Sequence, residues 1–118
     1  MIKTLIAEDN KEIIKIFEAV LYKKGYLSKE EIAVAEDGKK ALELAKRNLA
    51  GLQLIITDID MPEMNGYQLI EEVRKIGYKG SIIQSSCREK CESADFYLQK
   101  PFLFNDLTDI LDKVYAKK

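Results

Sequence analysis

Chemically reactive side chains follow four short apolar runs of this sequence, each with the length of a buried strand. Glu8 and Asp9 follow the first run, Asp58 follows a later one, and Ser86 and Lys100 follow the last two. Because ligands of an open α/β sheet bind beyond the carboxyl ends of its strands, we expect these side chains to meet at one edge. The sequence therefore predicts a single site built from acids, a hydroxyl and a lysine.

The chemistry predicted for this site is phosphoryl transfer to a carboxylate. Glu8, Asp9 and Asp58 would repel one another at one sheet edge, and Mg²⁺ relieves such repulsion while also binding phosphate oxygens. Asp58 is the candidate nucleophile, because a carboxylate can accept a phosphoryl group as an acyl phosphate. Ser86 would donate its hydroxyl to a phosphoryl oxygen.

Each of these residues also has a simpler interpretation. Asp9 and Glu12 have the spacing of a helix N-cap and its N3 partner. Asp58 could cap a turn at the end of its strand, and Lys100 could be a surface lysine. Pro101 favours an extended conformation at Lys100, however, which would project the ammonium into the crevice. The prediction of a phosphoryl site therefore depends on the whole set and its order.

Strand patterns alternate with helix patterns along the chain, which predicts an α/β fold with a parallel sheet between layers of helices. Right-handed crossovers favour the doubly wound, flavodoxin-like order 2-1-3-4-5 for five strands. The length predicts one domain over residues 1–118. The predicted strands cover residues 2–7, 31–35, 52–58, 81–83 and 96–98, and the helical patterns cover 13–21, 41–49, 67–76 and 107–114.

The connection between the last two strands is short. Nine residues, 87–95, separate them, whereas a parallel crossover usually needs about a dozen or more. This segment also lacks an apolar stripe, so we predict a fourth helix that is short or missing. We expect apolar area to be exposed around Ile83 and Leu98 or around Leu107 and Leu111. An exposed patch there would favour partner binding or a homodimer.

Composition and charge argue against several classes of function. The net charge of −1 provides no electrostatic footprint for nucleic acid or an anionic membrane. The sequence has neither an apolar run of transmembrane length nor a signal-peptide pattern, which favours the cytoplasm. Cys87 and Cys91 are interpreted as reduced thiols, with a redox or metal role left open. The chain has no histidine, so it cannot itself carry a phosphohistidine.

The acids, the serine and the lysine of the predicted site, in this order along the chain, resemble those of the receiver domain of two-component response regulators. The resemblance is to the single-domain form found in chemotaxis regulators. The resemblance covers the whole chain, and the short 87–95 segment departs from it because family members usually carry a full helix there. The matching residues are Leu5 to Asn10, Thr57 to Gly66, Ser86, and Asp95 to Phe102 with its Lys100-Pro101-Phe102 ending.

The resemblance implies a phosphorylation-dependent signalling domain that switches partner binding. Its phosphoryl donor would be a histidine kinase or a histidine phosphotransfer protein, and its output an unknown downstream protein. The domain would catalyse only its own phosphoryl transfer and dephosphorylation. The roles implied are phosphoacceptor for Asp58, phosphate pairing for Lys100, switching for Ser86 and Tyr97, and a Mg²⁺ site of Glu8, Asp9, Asp58 and the Asp60 backbone carbonyl.

Two other functions stay open. A pseudo-receiver would bind proteins without ever being phosphorylated, because its crossover is damaged. A haloacid-dehalogenase-type phosphatase would use Asp58 as nucleophile and Asp60 as general acid. That motif normally lies on the first strand, and this chain is short for such an enzyme. Turnover of a phosphate ester would separate the phosphatase from the receiver.

The residues two positions past the acceptor and the switch hydroxyl are Asp60 and Arg88. We expect both to flank the phosphoryl group, and long side chains there could pair and hinder an attacking water. The alternative is that both side chains point into solvent.

Overall fold

The computed structural model describes residues 1–116, which form five strands and four helices. None of these helices is long and apolar enough to cross a membrane. The elements are β1 (Thr4–Ala7), α1 (Lys11–Lys23), a 3₁₀ turn (Lys29–Glu31), β2 (Ile32–Ala35), α2 (Gly38–Arg47), β3 (Leu54–Thr57), α3 (Gly66–Lys75), β4 (Ser81–Ser86), β5 (Phe96–Gln99) and α4 (Phe104–Ala116).

All the strands pair in parallel, and their order is β2-β1-β3-β4-β5. The predicted fold class and strand order are therefore confirmed. The register places Ala7 of β1 beside Thr57 of β3, so the residues that follow these two strands emerge at the same edge.

The sheet separates two apolar layers, as expected for strands with both faces buried. One layer joins the sheet to α2 and α3, and the other joins it to α1 and α4. Ile82 and Ile83 show how the layers divide, because they are consecutive and fully buried but belong to opposite layers. The sheet is thus packed on both faces, and the residues that follow its strands emerge at the carboxyl edge, outside the two apolar layers.

Helix α1 begins one residue later than the Asp9 N-cap interpretation expects. Asn10 is the N-cap, and its side chain accepts hydrogen bonds from the backbone N–H groups of Glu12 and Ile13 at 3.0 and 3.1 Å. Capping by Asn10 leaves the exposed Asp9 carboxylate available for other contacts. At the other end Gly25 has a φ of +71°, as required of a C′ residue.

Residues 87–95 contain only bends and a turn, so the helix between β4 and β5 is missing, as the length of this segment predicts. The prediction that apolar area would be exposed there is wrong. Ile83, Leu98, Leu107 and Leu111 are all at most 1% exposed. They face the layer of α1 and α4, which is complete, so the missing helix does not uncover them.

The opposite sheet face is the one from which the helix is missing, and it is covered by other means. Ala94 from the connection is buried there, Cys91 packs against the same layer, and Tyr78 is 3% exposed. The exposed apolar side chains near α4 lie instead at its start, where Leu103 and Phe104 are 73% and 59% exposed.

Candidate functional site

The carboxyl edge of the sheet holds the acids that the sequence predicts there. Glu8 directly follows β1, and its N–H donates to the Ala35 carbonyl of β2 at 3.0 Å. Asp58 directly follows β3, and its N–H donates to the Ala7 carbonyl at 2.9 Å. These bonds continue the parallel ladders by one residue and fix both backbones at the same edge.

Glu8, Asp9 and Asp58 converge there into an acidic cluster. One carboxylate oxygen from each lies within 4.8 Å of the other two. Glu8 is 1% exposed and Asp58 is 9% exposed, whereas Asp9 is exposed to solvent. Hard oxygen ligands at this spacing fit a small divalent cation such as Mg²⁺.

Backbone N–H groups orient two of these carboxylates. Asn10 N–H donates to Glu8 Oε2 at 3.1 Å, and Ile59 N–H donates to Asp58 Oδ1 at 2.7 Å. Ile59 N–H therefore holds Asp58 in one rotamer, in which Asp58 Oδ2 points away from Ile59 N–H.

Lys100, directly after β5, contacts Asp58 Oδ2 and also pairs with Glu8. Its Nζ lies 2.7 Å from Glu8 Oε1 and 3.3 Å from Asp58 Oδ2. Burial alone would lower the pKa of Lys100, but its hydrogen bond to Glu8 and the attraction of both carboxylates outweigh burial and raise the pKa. Burial raises the pKa of Glu8, and the hydrogen bonds from Lys100 and Asn10 oppose that rise. The short contact to a lysine that stays charged favours an ionised pair.

The loop after Asp58 approaches the start of α3 so closely that only glycine fits at position 66. Gly66 N–H donates to the Ile59 carbonyl at 2.9 Å. A Cβ on Gly66 would lie 2.0 Å from the Asp58 backbone oxygen and 2.7 Å from the Ile59 side chain. The loop that carries Asp60 is thereby held against the acceptor.

Gly66→Ala is therefore expected to destabilise the fold, although alanine favours helices elsewhere. Overpacking of this kind costs about 1–3 kcal/mol, and the midpoint of urea unfolding measures it. Glu71→Ala, at an exposed position of the same helix, is the control and should change stability by less than about 0.5 kcal/mol. A Gly66→Ala protein at least as stable as the wild type would contradict the close approach.

The other predicted site residues, Ser86 and Tyr97, lie beside the acidic cluster within a separate network. Ser86 is 1% exposed, and its hydroxyl oxygen accepts from the Gln84 side chain at 3.0 Å and from Arg88 N–H at 3.2 Å. The Tyr97 hydroxyl donates to the Arg88 carbonyl at 2.6 Å. Among the described residues, Ser86 thus bonds to the connection after β4 and not to the acids.

Asp60 and Arg88 form an ion pair at the rim of the site. Arg88 Nε lies 3.0 Å from Asp60 Oδ2, and Arg88 Nη2 lies 3.0 Å from Asp60 Oδ1. The pairing that the sequence suggests is confirmed, although both side chains are more than half exposed. The hydrogen bonds to Asp60 raise the pKa of the Arg88 guanidinium, which stays charged.

Comparison with known proteins shows which protein family has a site of this kind. Residues 4–112 match the family model of the response regulator receiver domain. This chain belongs to that family. The match extends from the first strand into the last helix and includes the whole acidic cluster.

The receiver domain has relatives among transcriptional regulators. It is 32% identical over 112 residues to the uncharacterized transcriptional regulatory protein YrkP of Bacillus subtilis, covering 89% of this chain and 46% of YrkP. It is 32% identical over 114 residues to the transcriptional regulatory protein DltR of Streptococcus agalactiae, covering 89% of this chain and 48% of DltR. The chain thus spans less than half the length of these relatives.

Solved structures of similar proteins cover nearly the whole receiver domain. The chemotaxis protein CheY4 of Vibrio cholerae is 28% identical with a TM-score of 0.78, covering 97% of this chain and 98% of CheY4. The receiver domain of the Francisella response regulator 1452 is 28% identical with a TM-score of 0.79, covering 99% of this chain and 98% of that one.

Two groups that fix the short connection of this receiver domain were missed by sequence reasoning. Gln84 is fully buried in β4, and its side chain binds Ser86 and the connection. Arg74 donates to Asp95 Oδ2 at 2.9 Å and to the Ser93 carbonyl at 3.3 Å. The available signal for the first group was a glutamine directly after the apolar residues Ile82 and Ile83, whereas no local pattern marks the second.

Proposed function

We propose that this receiver domain accepts a phosphoryl group on Asp58 from a phosphohistidine donor in the presence of Mg²⁺. The observation that carries the proposal is the contact of Lys100 Nζ with Asp58 Oδ2 at 3.3 Å, beside the acidic cluster. An Asp58 oxygen forms the new bond to phosphorus while the donor's P–N bond breaks and the donor nitrogen keeps the electron pair.

The residues that would hold Mg²⁺ are Asp9, Asp58 and the backbone carbonyl of Asp60, with Glu8 completing the acidic cluster. When bound, the cation neutralises charge on the phosphoryl oxygens. The spacing of the acidic oxygens supports this assignment, and so does the tight loop that keeps Asp60 next to Asp58.

The remaining roles concern the phosphoryl oxygens. Lys100 would pair with one of them in place of its contact to Asp58, and Ser86 would donate its hydroxyl to another. Tyr97 would act with Ser86 as a switch, because its hydroxyl bonds to the same connection after β4. Its bond to the Arg88 carbonyl gives it a direct contact with the segment that would change.

The proposed partners are a histidine kinase or histidine phosphotransfer protein as donor, and a downstream protein that recognises the phosphorylated state. A chain without histidine must receive its phosphoryl group from such a donor or from a small phosphodonor. The homodimer, the cytoplasmic location and the single domain over residues 1–118 stay predictions.

Incubation with acetyl phosphate and Mg²⁺ followed by intact mass spectrometry tests the proposal. We expect the addition of one phosphoryl group, which is lost on standing and absent when a chelator replaces Mg²⁺. A mass that never changes, with any donor, would favour the pseudo-receiver. Rapid turnover of a phosphate ester would favour the phosphatase. The complete acidic cluster with its lysine supports the receiver over both.

The Asp60–Arg88 ion pair leads to an expectation about the lifetime of the acyl phosphate. Arg88→Ala should shorten it by roughly two- to fivefold, because an exposed ion pair provides a weak barrier to an attacking water. Loss of the phosphoryl mass with time measures the lifetime. Lys79→Ala, which removes an exposed positive charge from the opposite edge of the sheet, is the control. Equal lifetimes in the wild type and Arg88→Ala would rule out shielding.

A further inference from the structure

Gln84 is a buried polar side chain to which the proposed phosphoryl chemistry assigns no role. It lies in β4 beside Tyr97 of β5 and is fully buried. A buried amide needs hydrogen-bond partners, and those partners show which parts of the structure the side chain fixes.

The hydrogen bonds of this amide all run to the Ser86 hydroxyl and to the connection after β4. Its Nε2 donates to Ser86 Oγ at 3.0 Å and to the Glu89 carbonyl at 2.9 Å, and its Oε1 accepts from Cys91 N–H at 2.7 Å. The backbone partners settle the orientation of the amide, because Cys91 N–H can only donate and the Glu89 carbonyl can only accept. One side chain therefore binds both the hydroxyl and the connecting backbone.

The proton of the Ser86 hydroxyl has no strong hydrogen-bond acceptor. A hydroxyl offers one proton and two acceptor lone pairs, and Ser86 Oγ accepts from Gln84 and from Arg88 N–H. The Arg88 carbonyl lies 3.5 Å from Ser86 Oγ, at the limit of a hydrogen bond, and so competes weakly for the proton. The hydroxyl is thus prepared to donate to a stronger acceptor.

We propose that Gln84 is a positioning residue that commits the Ser86 hydroxyl to donating toward a phosphoryl group on Asp58 and couples it to the connecting backbone. This inference rests on the proposed function of Asp58. The connection lacks the usual helix, so Gln84 supplies contacts that hold it to the sheet. A change at Ser86 would reach Glu89 and Cys91 through this amide, in addition to the direct bond that Ser86 Oγ accepts from Arg88 N–H.

Gln84→Met tests the inference because methionine keeps the length of the side chain but cannot donate to Ser86. We expect phosphorylation by acetyl phosphate and Mg²⁺, followed by intact mass, to slow by about five- to tenfold, the effect of one hydrogen bond. Amide hydrogen exchange in residues 87–92 should become faster, because Cys91 N–H loses its acceptor.

Arg74→Met is the matched control, because Arg74 holds the far end of the same connection through Ser93 and Asp95. Exchange should become faster near those two residues while the phosphorylation rate stays that of the wild type. If Arg74→Met slowed phosphorylation as much as Gln84→Met, a general loosening of the connection would explain both and overturn the inference.

The double variant with Ser86→Ala separates positioning from a merely structural role. If Gln84 acts through the Ser86 hydroxyl, Gln84→Met should have no further effect on the phosphorylation rate once that hydroxyl is absent. The same slowing in both backgrounds would overturn the inference, as would a normal rate in Gln84→Met. A wild type that never gains a phosphoryl group would instead overturn the proposed function, and this inference with it.

The wild type offers a measurement that does not depend on the folding of any variant. Because Gln84 couples Ser86 to Glu89 and Cys91, phosphorylation should change the hydrogen exchange of residues 87–92. Exchange that is the same in the phosphorylated and unphosphorylated protein would overturn the coupling.

Discussion

Replacing Asp58 with asparagine is expected to abolish phosphorylation by acetyl phosphate and Mg²⁺ while leaving the fold intact. The amide has nearly the same shape as the carboxylate, but it cannot form an acyl phosphate. Its oxygen can still accept the hydrogen bond that Ile59 N–H donates to Asp58 Oδ1 at 2.7 Å. Intact mass measures the modification, and thermal unfolding monitored by circular dichroism measures the fold.

Asp60→Asn is the matched control for this experiment. The Asp60 side chain is 56% exposed and pairs with Arg88, and only its backbone carbonyl is assigned to the metal site. The variant should therefore still gain one phosphoryl group. A gain by Asp58→Asn at the wild-type rate would refute the acceptor assignment. Loss of phosphate-ester turnover in Asp60→Asn would point to the phosphatase.

Removal of Mg²⁺ is expected to lower the melting temperature of the wild type, and Asp9→Asn should remove most of that metal dependence. A cation at ten times its dissociation constant stabilises the fold by about 1.4 kcal/mol, or roughly 4–8 °C for a domain of this size. Asp9 is the exposed member of the cluster, so its loss leaves the buried contacts of Glu8 and Asp58 intact. Differential scanning calorimetry with Mg²⁺ and with a chelator measures the effect.

Without the metal, Asp9→Asn should melt at the wild-type temperature or above it, because the variant has one fewer repelling carboxylate. Asp109→Asn removes a negative charge from the exposed face of α4 and is the control, with the metal-dependent rise unchanged. A full metal-dependent rise in Asp9→Asn would count against Asp9 as a ligand.

The alternation of strands and helices could be predicted from the sequence because each period is a local property of the chain. The run of residues 54–56 is apolar without interruption, as is typical of strands buried on both faces. The missing helix could be predicted as well, because nine residues do not provide the usual length of a parallel crossover.

The consequence of the missing helix could not be predicted in the same way. Sequence reasoning expected Ile83 and Leu98 to lose cover, yet both are at most 1% exposed. Their side chains face α1 and α4, and the shortened connection lies over the other sheet face. Which face a strand residue occupies depends on register and crossover direction, which are properties of the assembled sheet.

The sequence by itself determined the residue types of the candidate site and the edge at which they meet, because parallel strands carry whatever follows them to a common edge. Only the tertiary structure decided the contacts. It placed Lys100 Nζ 2.7 Å from Glu8 Oε1, and it made the Ser86 hydroxyl oxygen the acceptor of hydrogen bonds from the Gln84 side chain and Arg88 N–H. The Lys100–Glu8 contact joins residues far apart in the chain, and the bonds to Ser86 depend on how the connection after β4 folds back, so the geometry of both is set by packing and by the pairing of buried polar groups.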